Sequence, residues 1–69
     1  MPLSMLRAGE QMTIRKIKGK DEAQKFMASL GFTVGSEVTV ISEITGNIIV
    51  QIKDTRVAIS KEMANRIYV

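Results

Sequence analysis

The stretch Met27-Ala28-Ser29-Leu30-Gly31-Phe32-Thr33-Val34-Gly35-Ser36-Glu37-Val38 joins a helix to a strand, and this joint constrains the fold of the whole chain. Upstream, Ala23, Phe26, Met27 and Leu30 recur at i, i+3, i+4 and i+7, the spacing of one apolar helical face. Gly31 stands where the chain must leave the right-handed region, which glycine does without a Cβ penalty. Phe32 follows, placed to pack back on Met27 or Phe26 as a Schellman ending requires. Beyond Gly35, Val38, Val40 and Ile44 share one parity, the period of a half-buried strand.

Strand signals dominate the remainder. Leu3 and Leu6 predict a short helical turn ending at Ala8 or Gly9 and lying as a lid under the sheet. Gln11 to Ile17 reads as a first strand with Met12 and Ile14 on one face, and Ile17 breaks the alternation. That break predicts a bulge or bend near Arg15 and Lys16. Asp21 is placed as the helix N-cap, with Gln24 completing a capping box. Thr45-Gly46-Asn47 is expected as a three-residue hairpin loop between β-branched runs, with Ile48, Val50 and Ile52 facing inward on the return strand. Asp54 and Thr55 make a second turn before a short strand, Arg56 to Ile59. Ser60 caps one helical turn over Lys61 to Ala64, and Ile67 and Val69 share a face of the last strand.

With 69 residues there is room for one domain, burying only about 60% of its unfolded surface. The expected fold is therefore mostly β, a small SH3-like barrel of about five strands spanning residues 1–69. One α-helix is inserted after the first strand, and a short helical turn precedes the last. Closing the sheet removes edges that two open sheets would leave unpaired.

The composition argues against catalysis. Cysteine and histidine are both absent, which removes thiolate chemistry, disulfides and the commonest general base and metal ligand. The carboxylates Glu10, Asp21, Glu22, Glu37, Glu43, Asp54 and Glu62 show no metal-ligand spacing, and no glycine-rich loop precedes a Lys-Ser or Lys-Thr pair. No catalytic residue, metal ligand or cofactor is expected. No apolar run near the start suits a signal peptide or a membrane span.

Two surface features remain. Ten Lys and Arg against seven Asp and Glu give a net charge of +3, and Arg15, Lys16, Lys18 and Lys20 concentrate part of the excess. This basic run keeps an edge soluble, or contacts an acidic surface or lipid phosphates. Nucleic acid is not expected, because Phe26 and Phe32 are assigned to the core and leave only Tyr68 for stacking. The second feature is apolar. Ile41 and Ile49 point away from Val40 and Val50 on one hairpin; either they are buried under Leu3, Leu6 or the helix, or, exposed together, they form with Met27 and Met63 the expected partner-binding face.

Three blocks in order carry a family resemblance: Leu3-x-x-Leu6-x-x-Gly9, then Leu30-Gly31-Phe32-Thr33-Val34-Gly35-Ser36-Glu37-Val38, then Val57-Ala58-Ile59-Ser60 with Ala64-x-x-Ile67-x-Val69. Together they resemble FeoA, the small cytoplasmic component of bacterial ferrous iron transport, over essentially the whole chain. The family often has proline before the second glycine, where this chain has Val34. The resemblance implies an SH3-like fold and a non-catalytic accessory protein that contacts the FeoB membrane transporter, without itself inserting in the membrane. It implies a cytoplasmic location, with recruitment to the inner face of the membrane. The same blocks are similar to the SH3-like C-terminal domain of metal-dependent repressors. The alternative is therefore a module associated with such a repressor or with nucleic acid.

Overall fold

The run expected as one strand from Gln11 to Ile17 divides at Ile14, and the division sets the architecture. In the computed structural model, which describes all 69 residues, strand β1 covers Gln11–Thr13 and β2 covers Lys16–Ile17. β1 pairs antiparallel with β3 (Glu37–Ile44), while β2 pairs antiparallel with β6 (Ile67–Tyr68). The change of partner is visible bond by bond. Ile14 N–H donates to Ser36 C=O at 2.8 Å, and the next residue, Arg15, donates to Tyr68 C=O at 2.7 Å. Ile14 itself is buried. The bend expected near Arg15 and Lys16 is this switch between sheets.

The other elements are α1 (Asp21–Ser29), β4 (Asn47–Ile52), β5 (Thr55–Ser60) and α2 (Lys61–Ala64), with a 3₁₀ turn over Leu3–Met5. Strand order is β1-β3-β4-β5 in one sheet and β2-β6 in the other. The fold is mostly β with two helices, as expected, but the sheet does not close into a barrel: no ladder joins β5 to the β2–β6 pair. The chain forms six strands rather than five because the first one serves both sheets. Its two termini meet at β6, where Pro2 bridges Tyr68 and the Val69 amide donates to Met1 C=O at 2.8 Å.

The helix ends as its sequence requires. Gly31 N–H donates to Ala28 C=O and Phe32 N–H to Met27 C=O, both at 3.0 Å, the paired bonds of a Schellman motif. Gly31 carries φ +103°, a conformation that glycine alone adopts freely. Its start differs from expectation. Lys20, not Asp21, takes the extended N-cap position, and no side chain caps the helix there. Asp21 already belongs to the first turn, where with Glu22 it complements the helix dipole. The Gln24 side chain instead reaches back to Gly19 C=O at 3.0 Å.

Both hairpin loops are two residues long. Ile44 pairs with Asn47 around Thr45-Gly46, and Ile52 pairs with Thr55 around Lys53-Asp54. Thr45, Gly46 and Lys53 all take positive φ, as such tight turns demand. Ser60 caps α2 as expected, its hydroxyl accepting from Met63 N–H at 3.2 Å.

A single cluster of 14 buried residues, all apolar, forms the core, with Phe32 and Leu3 the largest side chains in it. Ile48, Val50 and Ile52 reach it from β4, Ile67 and Val69 from the C-terminal end, and Met27 from α1. Phe26, expected in the core, is 54% exposed. A nine-residue helix lying on a small sheet buries a narrow stripe, here Ala23, Met27 and Leu30. Phe26 lies about 100° around the helix from Met27 and falls outside it. Met12 is also exposed, because β1 is a short edge strand whose three residues all face solvent.

Candidate functional site

The β3–β4 hairpin carries the clearest departure from simple alternation. Val40 stands opposite Val50, yet the next paired residue is Ser42, opposite Ile49. Ile41 is therefore the extra residue of a β-bulge, and every later position of β3 changes face relative to its sequence parity. Ile44, expected inward with Val38 and Val40, is 57% exposed beside Asn47. Glu43 takes the opposite parity and pairs its carboxylate with Lys61 at 2.5 Å.

The outcome is an outer face on this hairpin bearing Ile41, Ile44 and Ile49. Ile41 and Ile49 are half-buried, and neither belongs to the core cluster. Ala58 on β5 stands opposite Ile49 and extends the apolar surface across the sheet. The same face becomes polar toward β1, where Gln11 Nε2 donates to Glu37 Oε2 at 2.8 Å. Of the other two residues expected on the partner-binding face, Met27 is 1% exposed in the core and presents no surface. Helical spacing could not distinguish a core methionine from a surface one. Met63 on α2 is partly buried and packs against the core. Ile44 was missed because parity alone placed it inside; only the register reveals the bulge.

The basic run lies on the second sheet. Lys16 stands opposite Tyr68, and Lys18 N–H donates to Arg66 C=O at 2.7 Å, so Lys16, Lys18, Arg66 and Tyr68 share the outer face of β2–β6. The Lys18 ammonium sits 4.6 Å from the Tyr68 ring centroid, a cation–π contact. Arg15 and Lys20 are exposed nearby in the chain, and Lys18, Gly19, Lys20, Glu22, Ala23 and Arg66 line an open cleft. Arg66 was not legible as a member, since its place depends on the pairing of β2 with β6. The patch is not purely cationic: Glu62 lies 3.7 Å from Arg66.

No three or more Asp or Glu side chains gather where they could hold a metal ion. No buried polar side-chain atom lacks a hydrogen-bond partner. No helix is long and apolar enough to cross a membrane.

Comparison with known proteins gives these surfaces a context. The model of the FeoA domain family matches residues 1–69. The chain is 31% identical over 68 residues to "Putative Fe(2+) transport protein A" of Methanocaldococcus jannaschii, covering 99% of this chain and 83% of that protein. It is similar to the crystal structure of an iron uptake regulatory protein (FeoA), with TM-score 0.88 and 32% identity over 96% of this chain and 88% of the other. FeoA of Stenotrophomonas maltophilia, described as a procaryotic SH3 domain protein, shares the fold with TM-score 0.85 at 24% identity, covering 99% of this chain and 87% of that one. A manganese-dependent transcriptional repressor superposes with TM-score 0.90 at 26% identity; all of this chain matches 40% of the repressor.

Proposed function

The chain belongs to the FeoA family, and from that premise we propose that it is a non-catalytic accessory protein of ferrous iron transport that acts by docking on a FeoB-type membrane transporter. Its place is the cytoplasmic side of the membrane, reached through the partner. The observation that carries the docking surface is the row of Ile41, Ile44 and Ile49 on the outer face of the β3–β4 hairpin, outside the core cluster. Branched apolar side chains held on a paired hairpin lose little further entropy on binding, and covering them removes apolar surface from water. The absence of histidine and cysteine supports a contact role over chemistry.

The test is retention of the purified chain by the full-length transporter in detergent, at low and high salt. Retention at both salts, lost in Ile44→Asp and Ile49→Asp variants that still fold, supports the reading. Undiminished retention of both variants would remove the hairpin from the interface, and no retention of the wild type would remove the partner.

A second reading has one observation of its own: Lys16, Lys18 and Arg66 surround Tyr68 on β2–β6, a cationic surface with an aromatic ring. A repressor-associated or nucleic-acid module would use that face. Its binding would fall steeply as salt rises, whereas apolar docking would not.

A further inference from the structure

Strand β5 is a free edge, and its alternation makes it complementary to itself. The two-residue turn Lys53-Asp54 makes Ile52 and Thr55 a hydrogen-bonded pair, so Thr55, Val57 and Ile59 direct their backbone groups toward β4. Lys61 N–H, donating to Gly46 C=O at 3.2 Å, continues the same side of the ladder. Arg56, Ala58 and Ser60 therefore aim their amides away from the sheet. No strand pairs with β5 on that side. The devices that blunt an edge are scarce here: β5 contains no proline, its pairing with β4 runs unbroken, and Arg56 is its one charge.

We propose that a second copy of this chain covers this edge, β5 pairing antiparallel with β5 about a two-fold axis at Ala58. In this register the two Ala58 residues exchange both backbone bonds, and each Ser60 N–H donates to the Arg56 C=O of the other copy. Ser60 C=O remains with α2, whose N-cap it is. On the core-facing side, Val57 meets Ile59 of the second copy. Val57 is partly exposed and already packs against the core, so pairing completes its burial. On the outer side Arg56 faces Ser60, and the small Ala58 lets the backbones approach without a clash. Centring the axis on Arg56 instead would set the two guanidinium groups opposite each other. The Ala58 register separates them by four residues, about 13 Å, more than the roughly 8 Å over which charges persist in physiological salt. The pairing also joins the row Ile49–Ala58 of one copy to that of the other, making one continuous apolar surface.

The experiment is sedimentation equilibrium from micromolar to millimolar protein, with backbone amide exchange followed at both ends of the range. A reversible monomer–dimer equilibrium is expected, with the Ala58 and Ser60 amides gaining protection as concentration rises. Added salt should favour the dimer, since each copy carries a net charge of +3. Ala58→Lys puts two ammonium groups side by side at the axis and should weaken the dimer at least tenfold. Its thermal unfolding should stay unchanged because position 58 is exposed in the monomer. Met12→Lys on the opposite edge should leave association as in the wild type. The proposal is overturned if the wild type stays monomeric at millimolar concentration. It is equally overturned if Ala58→Lys associates as well as the wild type, if salt dissociates the dimer, or if protection arises elsewhere than β5.

Discussion

The amide of Phe32 donates to the carbonyl of Met27 at 3.0 Å, and the side chains of both residues are buried in the same core, at 0% and 1% exposure. One backbone bond thus closes α1 and fixes the entry into β3, while the two side chains it brings together anchor the helix to the sheet. The residue past the glycine and one from the last turn share one apolar cluster, the arrangement that commonly accompanies a Schellman ending.

Gly31→Ala should destabilise the protein by about 1–2 kcal/mol in urea unfolding, because a Cβ at φ +103° is strained wherever it sits. Space is a lesser factor: the added Cβ would meet Ile52 Cγ2 at 3.5 Å, an ordinary contact. A loss below about 0.3 kcal/mol would show that α1 is not held by this ending.

The two phenylalanines should behave oppositely. Phe32→Ala should cost about 3–5 kcal/mol, enough to unfold much of a domain this small at room temperature. Phe26→Ala should stay within about 0.5 kcal/mol, since the ring is 54% exposed. Thermal melts followed by circular dichroism measure both, and equal costs would contradict the stripe that α1 buries.

The bulge at Ile41 makes a third comparison. Val40→Thr places a hydroxyl where the side chain is 2% exposed and should cost about 1–3 kcal/mol. Ile44→Thr keeps a β-branched side chain at a position 57% exposed and should change stability by no more than about 0.5 kcal/mol. Similar losses from both would mean that β3 runs without the register shift.

The sequence by itself determined the elements whose causes are local. Gly31 ends the helix because the needed φ of +103° is strained for any residue with a Cβ, and Ser60 starts α2 because its hydroxyl accepts from the Met63 amide. The inward set Ile48, Val50 and Ile52 follows from the period of a strand. The motif blocks also carried the family, since they lie in the same glycine turns and core positions.

What the tertiary structure decided is everything that depends on which strand lies beside which. Ile44 left the core because of a register shift between two strands, and Phe26 left it because the sheet covers only a stripe of α1. Met27, written with the same spacing as a surface anchor, went under the sheet. Lys18, Arg66 and Tyr68 became neighbours only when β2 found β6, nearly fifty residues away in the chain. The open β5 edge belongs to the same class, because an unpaired strand is defined by the partner it lacks in the fold. Side-chain periodicity fixes alternation along one strand, while register and pairing are set by the packing of distant segments against one another.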